Sequence, residues 1–208
     1  MRKYICELIG TFFLMLTVGC CVIGASTGVI APLAIGSALM VMVFAGGHLS
    51  GGHYNPAVTL GAWLRGRCAM QDVLPYWFAQ VSGAIVASVA AQAIKGNAPV
   101  TRMTVSMGPA FLAEFLFTFA LVYVVLNVAT AKGTTGNSFY GLAIGITVMV
   151  GAFAVGSISG GAFNPAVAVG LGWIGLIAWP SLALYWIAEL LAGACAAWVF
   201  LSLNPEDR

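Results

Sequence analysis

The chain has 208 residues, of which 61% are hydrophobic and 7% charged, and its formal net charge is +2. A soluble domain carries about 25% charged residues, so this is a membrane chain of one domain's length, and so weak a positive balance offers nucleic acid no hold. The five scattered cysteines (Cys6, Cys20, Cys21, Cys68, Cys195) contain no C-x-x-C pair, so they frame neither disulfides nor a metal knuckle and read as small buried apolar residues.

Met1-Arg2-Lys3 opens an apolar run over residues 4–24. The run carries Glu7 and is long, so a retained first span is expected rather than a signal peptide. Further apolar runs follow at 32–48, 74–94, 108–130, 139–156 and 178–201. Each is close to the length that crosses a bilayer. The connections 26–31 and 131–138 are short, and 95–107 is the longest linker, dividing the chain into halves.

After the second run comes Ser50-Gly-Gly-His-Tyr-Asn-Pro-Ala-Val58, and after the fifth comes Ser159-Gly-Gly-Ala-Phe-Asn-Pro-Ala-Val167. Asparagine suits a helix cap and proline the first helical position, so helices are expected to start at Asn55 and Asn164. Only about ten apolar residues follow each, too few to cross but enough for a re-entrant half-helix. Glycine-rich backbone at membrane depth is tolerated where it packs in protein or lines a wet cavity. Two such elements point to a pore.

The halves repeat. Glu7-x-x-x-Thr11-Phe12 matches Glu114-x-x-x-Thr118-Phe119 at an offset of 107. Leu33-Ala-Ile-Gly36 with Leu142-Ala-Ile-Gly145, Asn55 with Asn164, and Tyr76-Trp77 with Tyr185-Trp186 all share an offset of 109. Each copy holds three spans and one half-helix, so the second must enter the membrane from the opposite side. The expected architecture is an all-α membrane protein of six transmembrane helices and two re-entrant half-helices. It forms one channel domain, residues 1–208, made of inverted repeats at 4–94 and 108–201, with the site near the midplane where they meet. With the N-terminus inside, the inner side holds Arg2, Lys3, Arg65, Arg67, Lys132 and Arg208, and the outer side Lys95 and Arg102. That bias predicts cytoplasmic termini in a multi-pass protein of the plasma membrane. Gly83, Ala87 and Ala91, and Gly193 and Ala197, recur at four-residue spacing and predict close helix packing.

Half-helices that meet head to head aim both positive dipole ends at the bilayer centre. The amides of Asn55 and Asn164 can donate there, within the pore-central set Asn55, Pro56, Ala57, Asn164, Pro165 and Ala166. A cation or hydronium meets only donors and positive ends; a neutral molecule accepts the bonds and passes. The carbonyls of Gly51, Gly52, His53 and Tyr54, and of Gly160, Gly161, Ala162 and Phe163, supply a file of acceptors. Glu7 and Glu114 are intramembrane carboxylates at matched positions, best read as acceptors for the loop N–H groups. Glu189 is a third carboxylate whose repeat partner is Gln80, and its role does not follow from the sequence. His48 and His53 flank the first loop without a third ligand, so no metal site is expected, nor any cofactor. No Ser-His-Asp set or phosphate loop is present, which argues against an enzyme.

Over about residues 5–200 the chain resembles the aquaporin/glycerol-facilitator (major intrinsic protein) family. The resemblance rests on Glu7-Leu-Ile-Gly-Thr-Phe-Phe13, Gly47-His48-Leu-Ser-Gly-Gly-His-Tyr-Asn-Pro-Ala-Val-Thr59, Glu114-Phe-Leu-Phe-Thr-Phe119 and Ser159-Gly-Gly-Ala-Phe-Asn-Pro-Ala166. It implies six tilted helices, two half-helices, one pore per subunit, homotetramers, and passive flow of water or small uncharged solutes. The family usually carries arginine directly after the second Asn-Pro-Ala; here that residue is Val167. The family pattern places the rest of the outer filter at Ile35, Ala152 and Gly161. That filter is apolar, small-sided and wide, and is expected to admit solutes larger than water, such as glycerol, urea, ammonia or undissociated metalloid acids. Two alternatives remain open from the sequence: a proton-coupled transporter of a small solute, and a nearly closed structural member of the family.

Overall fold

The computed structural model describes residues 1–25 and 27–207. Ser26, within the 26–31 connection, and Arg208, one of the six inner-side cations, lie outside the described residues. The first half folds as α1 (Arg2–Val22), α2 (Ala31–Ser50), α3 (Pro56–Leu64) and α4 (Met70–Ile94). The second half follows the same order as α5 (Met107–Thr130), α6 (Tyr140–Ser159), α7 (Pro165–Trp173) and α8 (Leu182–Leu203). Among the described residues six helices are long and apolar enough to cross a membrane. The other two, α3 and α7, have nine residues each, about 14 Å of helix, half a bilayer core.

The half-helices start where the sequence places them, and for the same reason. Asn55 and Asn164 cap with extended backbone, and their Oδ1 atoms accept from Ala57 N–H (2.8 Å) and Ala166 N–H (3.0 Å). Pro56 and Pro165 occupy first-turn positions whose N–H would have no helical partner. Upstream, α2 and α6 end at Gly51 (φ 91°) and Gly160 (φ 88°), left-handed residues that only glycine adopts without cost. Tyr54 (φ 50°) and Phe163 (φ 48°) also sit in the left-handed region, and each costs roughly 1 kcal/mol or more there. Something in each loop must hold them.

Several helix ends differ from the sequence reading by two to four residues: α1 ends at Val22 rather than 24, α6 at Ser159 rather than 156, and α8 begins at Leu182 rather than 178. α4 begins at Met70, four residues ahead of the apolar run at 74, and carries Pro75 within it. Its polar first turn is used: Asp72 accepts from Lys3 Nζ (2.6 Å) and from Tyr4 Oη (2.7 Å) on α1. Between the halves, Arg65 at the end of α3 donates to Asp207 Oδ2 (3.3 Å), which also accepts from Lys132 N–H (3.0 Å).

Within each half the first long helix packs on the last, α1 on α4 and α5 on α8. The half-helices are exchanged: α3 packs on α8 and α7 on α4. The small residues sit at these crossings. A Cβ on Gly83 would lie 2.5 Å from Leu8 O, and one on Gly193 2.6 Å from Ala57 O. α2 crosses α6 through Gly36 and Gly145. Large apolar side chains such as Phe78 and Trp198 face outward, as lipid requires.

Candidate functional site

The two loops are joined at their tips. Asn55 Nδ2 donates to Phe163 O at 2.8 Å, and Asn164 Nδ2 donates to Tyr54 O at 2.8 Å. Each amide therefore spends its oxygen on its own helix cap and one hydrogen on the opposite loop. One N–H per asparagine is left over.

A cavity of about 60 Å³ brings together Asn55 and Asn164 with Ile35, Ala152, Gly161 and Val167. Gly52, His53, Gly160, Ala162 and Phe163 also line it. Apolar residues complete the wall, among them Leu39 and Val148, and among the described residues its only polar side chains are those of His53 and the two asparagines. A second, larger cavity of about 560 Å³ is lined by His48, Gly51, Arg67 and Tyr140. His53 and Val125 border both cavities, so the two adjoin there. Pro56, Ala57, Pro165 and Ala166 line neither and are buried in packing. Tyr54 lines neither as well, and its hydroxyl donates to Met42 O at 2.9 Å. Of the eight carbonyls expected to face the passage, those of Tyr54 and Phe163 are already acceptors for the opposite asparagines, which leaves each one lone pair.

The carboxylates hold the strained loops. Glu7 Oε1 accepts from Ser50 Oγ (2.6 Å) and His53 N–H (3.0 Å), and its Oε2 accepts from Tyr54 N–H (2.6 Å) and Gln80 Nε2 (2.8 Å). Glu114 repeats this on Ala162 N–H (3.1 Å) and Phe163 N–H (2.7 Å). Glu189 Oε1 accepts from Asn164 N–H at 3.0 Å. All three are fully buried, and none lines either cavity. A carboxylate offers about four acceptor sites, enough for a turn whose N–H groups cannot reach water.

Three supporting groups escape a reading of the sequence. Tyr76 and Tyr185 donate their hydroxyls to Ser50 O (2.8 Å) and Ser159 O (2.5 Å), fixing the ends of α2 and α6. Their repeat offset marks them as a pair but not as a brace. Thr59 is the third. Its hydroxyl donates to Asn55 O (3.0 Å) and receives Gln80 Nε2 (2.9 Å). Its one hydrogen is then spent, so the contact with His53 Nδ1 (3.1 Å) must be a bond from the ring N–H. In the neutral ring Nε2 is left as an acceptor at the junction of the cavities.

Comparison with known proteins agrees with this geometry. Residues 1–200 match the family described as "Major intrinsic protein". The chain is similar to "Aquaporin NIP1-3" of Oryza sativa subsp. japonica, 38% identical over all of this chain and 75% of that protein. It is also similar to "Glycerol uptake facilitator protein-like 6" of Lactiplantibacillus plantarum, 36% identical over the full length of both. Its fold matches the X-ray structure of the aquaglyceroporin from Plasmodium falciparum with a TM-score of 0.77, at 23% identity, over all of this chain and 95% of that one. Six apolar helices, two half-helices capped by paired Asn-Pro-Ala, and these matches lead to one assignment: the chain belongs to the major intrinsic protein family, whose members are multi-pass membrane channels.

Proposed function

We propose that this chain is a passive channel for water and small uncharged solutes, with an outer filter formed by Ile35, Ala152, Gly161 and Val167. The observation that carries the reading is the single cavity those four residues share with Asn55 and Asn164, lined by no lysine or arginine among the described residues. Without an arginine the filter gives up a donor and a bulky side chain. It gains width for glycerol, urea, ammonia or undissociated metalloid acids. The names of the aquaporin and glycerol-facilitator relatives support this class of cargo. Cations are turned away at the centre, where two half-helix N-termini and the remaining amide hydrogens of Asn55 and Asn164 present positive potential.

The carboxylates bond to the loops and lie outside the cavity walls, which favours a channel over a proton-coupled carrier. No catalytic role is proposed. The unit is the whole chain, 1–208, with repeats at 4–94 and 108–201 meeting at the asparagine pair. It sits in the plasma membrane with both termini cytoplasmic, as a homotetramer with one pore per subunit.

Stopped-flow light scattering on proteoliposomes tests the reading. An impermeant sugar should drive fast shrinkage, and glycerol or urea should give fast shrinkage followed by fast reswelling. Shrinkage without reswelling would limit the cargo to water and remove the wide filter. Saturable uptake driven by a proton gradient would replace the channel with a carrier.

A further inference from the structure

The two halves match closely around their loops, and one of the places where they differ lies beside the carboxylates. Gln80 on α4 and Glu189 on α8 hold equivalent positions, 109 residues apart, and so do Thr59 and Ala168. In the first half the Gln80 amide gives both hydrogens, one to Glu7 Oε2 (2.8 Å) and one to Thr59 Oγ1 (2.9 Å). In the second half Ala168 has no hydroxyl, so only one donor is called for, toward Glu114. The residue in place to supply it is a glutamate.

Glu114 and Glu189 accept from consecutive backbone N–H groups, those of Phe163 (2.7 Å) and Asn164 (3.0 Å), which sets the two carboxyls side by side. Glu189 Oε1 takes the Asn164 N–H, while its Oε2 is sealed from solvent and receives no hydrogen from the protein. None of the ion pairs among the described residues reaches either carboxyl. Tyr185, the other titratable group beside the pair, has given its hydroxyl hydrogen to Ser159 O. Two bare carboxylates, fully buried and facing each other with no cation, would carry a desolvation and repulsion cost that a folded chain does not sustain. Carboxyl groups bond to each other only when one of them carries a proton.

We propose that Glu189 is a protonated acid in the working channel. It donates its hydrogen to Glu114, as the neutral Gln80 amide donates to Glu7, and it also accepts the Asn164 N–H and so positions the second asparagine. It is a positioning residue, since it touches no cargo. The demand matches the supply: an acid has one hydrogen where the amide has two, and the second acceptor, Thr59, is replaced by Ala168. The effect on transport rests on the channel reading above; the protonation does not.

The test uses the full chain reconstituted in lipid. Infrared spectra in H2O and D2O should show the carbonyl stretch of a protonated carboxylic acid that shifts on deuteration and vanishes in Glu189→Gln. Glu189→Gln, which offers an oxygen to Asn164 and an N–H to Glu114, should keep wild-type water flux. Glu189→Leu should lower it roughly tenfold, the equivalent of one lost hydrogen bond to a charged group. A wild-type spectrum without that band, or a Gln variant as impaired as Leu, overturns the assignment. The band with no flux in the wild type would instead refute the channel and leave the proton in place.

Discussion

Asn55 and Asn164 hold each other's loops: each gives one amide hydrogen, at 2.8 Å, to the carbonyl that precedes the other. The centre of the passage is thus a closed reciprocal pair, and neither half can set its geometry alone. The pair also fixes where the remaining amide hydrogens lie, because both orientations of each side chain are taken up by the cap and the cross-bond.

Asn55→Asp separates these roles. The carboxylate keeps the cap to Ala57 N–H but has no hydrogen for Phe163 O. An unpaired buried carbonyl costs about 1–3 kcal/mol, partly offset by the charge at a helix N-terminus. The unfolding midpoint should fall and, with negative charge at the centre, cation leak into liposomes should rise. A variant as tight to cations as wild type would show that the amide donors are not the barrier.

Val167→Arg tests the filter. Val167 is buried in the cavity wall beside Ile35, Ala152 and Gly161. A guanidinium there narrows the passage and adds donors, so glycerol and urea flux should fall several-fold while water flux falls less. Equal loss of both, or no change in either, would place the constriction elsewhere.

The sequence made the skeleton legible because its signals are local. Asn-Pro starts a helix, paired glycines end one, and a fixed offset between matched residues reveals two copies. The proposed filter positions came from resemblance; Ile35, Ala152, Gly161 and Val167 line one cavity. What stayed hidden depends on contacts across more than a hundred residues, such as Asn55 with Phe163, or on chemistry without a local pattern, such as Gln80 serving both Glu7 and Thr59. Glu189 showed only as a mismatch in the repeat. Its proposed role follows from Glu114, whose bond from Phe163 N–H adjoins its own bond from Asn164 N–H.

Glu7→Gln should destabilise the first loop. Glu7 accepts four hydrogen bonds, two of them from the backbone of His53 and Tyr54. An amide supplies one oxygen, and its NH2 meets donors on the other side. Bonds to a charged acceptor are worth roughly 1.5–3 kcal/mol each, so losing two should cost about 3 kcal/mol or more. Tyr54, held at φ 50° by this carboxylate, would relax and carry Asn55 with it. Denaturation in mixed micelles measures the loss, and osmotic water flux should fall in the same variant. Unchanged stability would mean that the loop is held by its packing alone.

Gly36→Val tests how the filter walls are spaced. At the crossing of α2 and α6 the backbones touch: a Cβ on Gly36 would lie 2.6 Å from Gly145 O and 2.7 Å from Met149 Cβ. Neither neighbour can yield, since one is backbone and the other the root of a side chain. The helices must part, at a cost of about 1–3 kcal/mol. Ile35 precedes Gly36 on α2, and Ala152 lies two turns beyond Gly145 on α6, so parting the helices draws two filter walls away from each other. The ratio of glycerol to water flux should therefore rise as stability falls. Gly156→Ala is the matched control on α6. A Cβ there has no neighbour within 4 Å, and alanine in a helix is favoured over glycine by roughly 0.5–1 kcal/mol. It should leave the flux ratio unchanged and raise the unfolding midpoint slightly. If Gly36→Val lowers stability without moving the ratio, the filter is not walled by Ile35 and Ala152.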